Sequence, residues 1–248
     1  MAYRSRLYVG TSGWNYPDWR EEFYPPGLKA RDYLGYYAQH FRTVEVNYSF
    51  YHQPTPRTYR HWAAQVPDDF VFALKASRFI THIRRLRDAG DAWRRFVDNA
   101  LELGERLGPV LLQLPPSLRP DPGVLEAFLE EHARLEGGRK IRLALEFRHA
   151  GWFEEKVYAL LRVHGAALVR GHSQRYPLAP PEETADFIYL RFHGPGRLFA
   201  SSYTDEALAE WAARIRQSLK RRKAAFAYFN NDFQGFALRN ARTLLQMA

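Results

Sequence analysis

The sequence predicts an α/β fold, a single (β/α)8 barrel spanning residues 1–248, on three observations. The hydrophobic period switches between two and about 3.6 along the whole chain. Eight short apolar runs read as strands, and over 248 residues they leave about 31 residues per repeat, the size of one βα unit. The rival, a doubly wound open sheet, calls for a glycine-rich dinucleotide fingerprint after the first strand, and Gly10-Thr11-Ser12-Gly13-Trp14 lacks that spacing.

The predicted strands are Leu7–Ser12, Thr43–Asn47, Val71–Ala76, Val110–Pro115, Arg142–Phe147, Ala166–Gly171, Phe187–His193 and Ala224–Asn231. Helical patterns follow most of them. Trp93, Phe96, Val97, Ala100, Leu101 and Leu107 share one helix face. Asp121-Pro122 reads as an N-cap with proline in the first turn, ahead of Leu125, Phe128, Leu129 and Leu135. Thr204 caps a helix whose first turn holds Asp205 and Glu206 and whose apolar face is Leu208, Trp211, Ile215 and Leu219.

Composition narrows the class. Hydrophobic residues make up 46% and charged residues 25%, which fits a globular core and excludes low complexity. The absence of cysteine excludes a disulfide scaffold, thiolate metal sites and a Cys nucleophile. Met1 to Thr11 has no apolar run suited to a signal peptide, and no later stretch has the length to span a bilayer, so a cytoplasmic protein without a membrane partner is expected. The net charge is +9, spread along the chain, and all but six of the 36 basic side chains are arginine. Arginine suits bidentate contacts to phosphate or carboxylate, so an anionic partner is expected.

Alternate strand residues of a barrel point inward, and active sites lie at the C-terminal strand ends. That parity sends Glu45 and Asn47, Lys75, Gln113, Glu146 and Arg148, Arg191 and His193, and Tyr228, Asn230 and Asp232 into one mouth. Arg170 on strand six has ambiguous parity. Val44, Val46, Leu74, Leu112, Leu145, Phe147, Leu190, Phe192 and Phe229 face the helices. The plain alternative is an ion-paired plug, with Glu45 on Lys75 and Glu146 on Arg191. Such pairs stabilise poorly beside apolar packing, and so many charged ends argue for a ligand site.

Cations outnumber acids at these ends, and loop three adds Arg78, His82, Arg84 and Arg85. Loop seven, His193-Gly194-Pro195-Gly196-Arg197, offers glycine amides beside an arginine, a pattern that also fits a plain turn. The basic runs Gly138–Arg142 and Lys220–Lys223 precede strands and so lie on the opposite face, as solvated helix ends. Loops one and two bring Trp14, Tyr16, Trp19, Tyr48, Phe50 and Tyr51 to the active face, to stack on a sugar or base or to pack small cores of their own.

Other chemistries fit less well. His52, His82, His149, His172 and His193 fall near strand ends, yet no HExxH-like spacing occurs and nearby cations repel a divalent ion, so no metal or other cofactor is expected. Glu45 and Glu146 form a paired-carboxylate option for glycoside hydrolysis, with Lys75 on a strand between them. A Ser/His/Asp triad has no GxSxG elbow.

The strand-end segments resemble the YecE-like family, domain of unknown function 72, over nearly the whole chain. The carriers are Gly10–Trp14 with Trp19, Val44–Asn47 followed by Phe50-Tyr51, Phe72–Lys75 with Thr81-His82, and Leu111–Pro116. They continue with Glu146–His149 and Trp152, Arg191–Gly194, Tyr228–Asp232, Gly235 and Asn240-Ala241. Tyr48 departs from the pattern, where a smaller residue usually follows the Asn, and is expected to narrow the mouth. The resemblance implies a TIM barrel and supplies no substrate.

The functional expectation is an enzyme for a small anionic substrate, phosphorylated and sugar-like or nucleotide-like. Lys75, Arg148, Arg191 and the Gly194 loop amides clamp the anion, and Glu45 or Glu146 acts as general acid or base. His193 shuttles a proton, Asn47, Gln113 and Asn230 orient hydroxyls, and Trp14, Tyr228 and Asp232 complete the substrate site. Hydrolysis and isomerisation both stay open. The alternatives are a nucleic-acid-binding or endonuclease-like barrel using Arg78, Arg84 and Arg85, and a non-catalytic ligand sensor.

Overall fold

In the computed structural model, which describes residues 6–222 and 224–248, the eight apolar runs form eight parallel strands. They are β1 Leu7–Thr11, β2 Thr43–Val46, β3 Val71–Lys75, β4 Leu107–Gln113, β5 Leu143–Glu146, β6 Ala167–His172, β7 Phe187–Phe192 and β8 Ala224–Phe229. The ladder runs β1-β8-β7-β6-β5-β4-β3-β2, so the strands from β2 to β8 pair with their sequence neighbours and β1 pairs with β8. This is the predicted barrel.

The remaining edges, β1 and β2, meet through one backbone bridge, Ser12 to Glu45. Side chains close the seam. The Tyr37 hydroxyl accepts from the Thr11 amide and donates to the Thr43 carbonyl, each at 3.0 Å. Gly10 is required here because a Cβ would stand 2.3 Å from the Thr43 carbonyl oxygen.

The helices are α1 Tyr33–Tyr37, α2 Tyr48–Tyr51, α3 Pro56–Ala63, α4 Gly90–Ala100, α5 Pro122–Arg134, α6 Glu155–Val163, α7 Asp205–Leu219 and α8 Phe236–Met247. The two predicted caps form. Asp121 accepts from the Val124 amide at 3.2 Å and Thr204 from the Ala207 amide at 3.3 Å, each satisfying a backbone donor that the first helical turn leaves open. Two expectations change. Leu107 belongs to β4, not to the helix of Trp93 and Phe96, because Gly104 takes a left-handed φ of 56° and ends the helical path. Between β6 and β7 the chain runs as an irregular segment, with no helix among the described residues. Thr184 ties that segment to β6, accepting from the Leu168 amide at 2.9 Å and donating to the Ala166 carbonyl at 2.6 Å.

Strand parity produces two apolar layers. Inside the barrel, Tyr8, Val71, Leu111, Val169, Phe187 and Phe226 fill the lower interior. Outside it, Val44, Leu74, Leu112, Leu145, Leu190 and Phe229 join the helices in the larger core, as predicted. The lower interior is filled mainly by apolar side chains, and the charged groups meet at the C-terminal end. No helix among the described residues is long and apolar enough to cross a membrane.

Candidate functional site

Each inward strand contributes its last position to the mouth, and the centre of the mouth is Arg191 on β7, 1% exposed. Its Nε and Nη2 donate to both oxygens of Glu45 on β2, at 2.7–3.2 Å, and its Nη1 donates to Glu146 Oε2 on β5 at 2.5 Å. Ser12 Oγ and the Tyr189 hydroxyl complete Glu45 at 2.7 and 2.8 Å. Burial alone lifts a carboxyl pKa. Here the Arg191 charge and these hydrogen bonds outweigh it and hold Glu45 below its ordinary range. Glu146 sits well below its own range, burial again being outweighed by the charges of Arg191 and Arg148. Both acids are therefore ionised at neutral pH and geometrically locked.

This corrects three expectations. Of the two sequence-based pairs, Glu146 on Arg191 forms, but Glu45 is also held by Arg191 and not by Lys75. Arg191 is consequently no free clamp for an incoming anion. Glu45 and Glu146 are too acidic and too tightly held to carry protons near neutral pH.

The amine of Lys75 sits over the Phe50 ring at 4.0 Å. Burial and then the Arg191 charge push it down to about 7, against a partial lift from Glu146. Arg148 donates from Nε to Glu146 Oε1 at 2.9 Å and lies 4.2 Å over the Tyr176 ring. His82 approaches Gln113 at 3.4 Å and is pushed to about 4 by burial and by the charges of Lys75, Arg148, Arg78 and Arg85. The β3–β5 side of the mouth is thus strongly positive. Arg84, by contrast, folds onto its own loop, bonding the carbonyls of Arg87 and Asp88 and pairing with the Asp88 carboxylate at 3.1 Å.

On the other side, His193 Nδ1 pairs with Asn230 at 3.2 Å, while Nε2 lies 3.6 Å from Glu146 Oε1, too far for a hydrogen bond. Burial pushes His193 to about 4, so the ring is neutral and adds no cation at neutral pH. Burial raises Asp232 well above its ordinary value, against a lowering by Tyr16, and the Glu45 charge adds to the rise. Asn47 Oδ1, His193 Nε2 and Asp232 Oδ1 are buried without a partner, polar capacity facing the mouth that the protein leaves unused. Gly171 is the inward residue of β6, and its missing side chain leaves space beside Glu146 and His193.

Other predicted members have structural duties. The Tyr228 hydroxyl bonds Thr43 Oγ1 at 2.7 Å beneath the mouth, fully buried. Arg170 points outward, where its guanidinium lies 5.3 Å from the Trp211 ring, so it leaves the count of mouth cations. In loop seven the Gly194 amide donates to the Tyr203 hydroxyl at 3.3 Å and the Gly196 amide to Ser201 Oγ at 3.0 Å, so neither is offered to a ligand. Trp14 packs edge-on to Trp62 of α3, and Trp19 is buried against Tyr37 of α1, so these loop aromatics join the outer core. Tyr48, half exposed at the rim, stacks on His52. No cluster of three or more His, Asp or Glu side chains among the described residues has metal-binding geometry. Arg142 and Arg222 lie at the far, N-terminal face beside Asp186 and Glu183, and Lys223 lies outside the described residues.

Sequence reasoning missed Ser12, Tyr189 and Tyr176. Parity alone finds Tyr189, two residues before Arg191 on the same strand face. Nothing in the loop pattern marks Tyr176.

A family model described as "Protein of unknown function DUF72" matches residues 8–248. The protein UPF0759 YunF of Bacillus subtilis is 24% identical over 97% of this chain and 94% of that protein. UPF0759 YecE of Escherichia coli K12 is 33% identical over 46% of this chain and 39% of that protein. Among solved structures, a DUF72 family protein of Thermotoga maritima superposes with a TM-score of 0.82 at 30% identity, over 98% of this chain and 99% of that one. A xylose isomerase-like TIM barrel fused to a 4-hydroxyphenylpyruvate dioxygenase gives a TM-score of 0.53 at 15% identity, over 89% of this chain and 41% of that one, a likeness of fold alone.

Proposed function

The chain belongs to the DUF72 family of proteins of unknown function, and from the charge balance of its mouth we propose that it is an enzyme acting on a small anionic substrate. One observation carries the reading. Arg191 is neutralised by Glu45 and Glu146, while Lys75, Arg148, Arg78 and Arg85 gather round His82, and of these four only Arg148 forms an ion pair among the described residues, with Glu146. A phosphate or carboxylate head on a sugar-like or nucleotide-like body supplies the missing negative charge.

Proton transfer falls to groups that titrate. Lys75, pushed down to about 7, takes a proton, and Asp232, whose pKa burial raises well above its ordinary value, gives one. Arg191 with its two carboxylates is the rigid floor that holds both geometries. Asn47, His193 and Asn230 orient hydroxyls. An amine of lowered pKa and a carboxyl of raised pKa on the same mouth suit proton removal and return, so isomerisation fits better than hydrolysis.

The test is calorimetric titration with ribose 5-phosphate and with ribose, followed by solvent deuterium exchange into the bound sugar phosphate. The phosphate ester binds at least about tenfold more tightly, Arg148→Gln removes that advantage, and Lys75→Met abolishes exchange. Equal affinity for the two sugars refutes the reading. A second reading, nucleic-acid binding, is favoured by the exposed side chains of Tyr51 and Phe79 beside Arg78 and Arg85. It predicts binding of short single strands that falls steeply with salt and survives Lys75→Met.

A further inference from the structure

Where the β6–β7 connection lacks a helix, the outer wall of the barrel is open. A cavity of about 380 Å³ lies between these strands and α7, within the size range of small-molecule sites. Its floor is apolar: Leu168, Ile188 and Leu190 from the strands, and Ile215 from α7. Its mouth is cationic. Trp211 carries two guanidiniums, Arg170 at 5.3 Å and Arg214 at 5.0 Å from its ring centre.

Neither guanidinium is properly neutralised. Arg170 forms no ion pair among the described residues, and its Nε is buried with no hydrogen-bond partner. Arg214 has only a long contact, 3.7 Å, to Glu210. The acids on the rim are engaged elsewhere: Glu182 with Arg162 at 2.8 Å, and Glu183 with Ser218 and Arg222, each at 2.8 Å. Burial and the Arg214 charge press the Arg170 pKa down, against a partial lift from Glu183. A buried donor without an acceptor, beside an apolar slot, is unfavourable until an anion arrives.

We infer that this cavity is a second ligand site, separate from the barrel mouth, which takes a small carboxylic acid whose carboxylate bridges Arg170 and Arg214 and whose aryl or branched-alkyl body lies in the slot. A free small molecule fits better than a peptide because the cavity is short and closed on one side by the Pro181–Thr184 segment. The site does not depend on the activity proposed for the mouth. It does connect to it: His172 stacks edge-on to Trp211 at 5.6 Å and bonds the Tyr203 hydroxyl at 2.9 Å, which in turn holds the Gly194 amide.

The probe is 4-phenylbutyrate, with 4-phenylbutanol as its uncharged counterpart, titrated into the full chain by calorimetry. The acid binds at least about tenfold more tightly than the alcohol, and Arg214→Gln and Arg170→Gln each weaken the acid by about tenfold. Arg214 lies on the exposed side of α7, so its variant keeps the test valid if Arg170→Gln fails to fold. Lys75→Gln, in the mouth, leaves the affinity unchanged. The inference is overturned if the acid does not bind at millimolar concentration, if acid and alcohol bind alike, if the loss follows Lys75→Gln in place of the arginine variants, or if only acidic peptides or a second copy of the chain occupy the groove.

Discussion

Replacing Arg191 by glutamine strands two buried carboxylates, and the size of the effect follows from their surroundings. Glu146 keeps Arg148 at 2.9 Å and stays ionised. Glu45 keeps only Ser12 and Tyr189, so with the guanidinium gone it takes up a proton. Holding a carboxyl of ordinary pKa protonated at pH 7 costs about 4 kcal/mol, which agrees with the roughly 3–5 kcal/mol found when a buried pair loses one partner. The sign of the pH dependence then changes. In the native protein the Glu45 pKa is depressed, so its contribution is complete above the unfolded value near about 4.3 and is lost only as pH falls through the folded value. In Arg191→Gln the folded pKa is raised, so stability falls by about 1.4 kcal/mol per pH unit from about 5 to 7. With a urea slope of about 3 kcal/mol/M, the midpoint drops by roughly 1.3 M at pH 7 and by much less at pH 5. Tryptophan fluorescence follows the transition, and Glu45→Gln added to Arg191→Gln recovers most of the loss at pH 7. An unchanged midpoint, or the same drop at both pH values, refutes the account.

Three further outcomes are expected. Trinitrobenzenesulfonate, an anionic amine reagent, labels Lys75 ahead of the other lysines at pH 7 with a rate that titrates near about 7, read by peptide mass spectrometry; a midpoint near 10 removes its role as base. Asp232→Asn raises the urea midpoint at pH 7 and leaves it unchanged at pH 4. The native carboxyl has a folded pKa above its unfolded one, so its contribution is complete below the unfolded value and is lost as pH rises, and a lower midpoint at pH 7 contradicts that environment. Gly10→Ala drives a methyl against the Thr43 carbonyl and costs about 1–3 kcal/mol, and a variant as stable as the native chain shows that the seam has slack.

Period-two alternation located all eight strands and sorted their faces, because burial on both sides of a barrel strand leaves polar residues only at the last inward positions. Glu45, Lys75, Gln113, Glu146, Arg191 and His193 were legible for that reason. Parity gives the face and not the partner. Nothing in one dimension says that Arg191 reaches across to both β2 and β5, or that Tyr203 returns nine residues later to occupy the Gly194 amide. The missing helix after β6 was marked more openly, by Pro177, Pro180 and Pro181, each of which removes a backbone donor a helix needs. The left-handed Gly104 that ends the α4 path was likewise visible as a glycine, although its conformation was not.

The join between β1 and β2 makes the barrel a hoop with a clasp. Seven of its eight contacts are continuous ladders, and the eighth is a phenol, a hydroxyl and one bridge. Glu45 is part of that clasp and also the anchor of Arg191, so loosening the latch and disarming the cup are one event. Amide exchange should begin at Thr11 and Thr43 before it reaches any other rung.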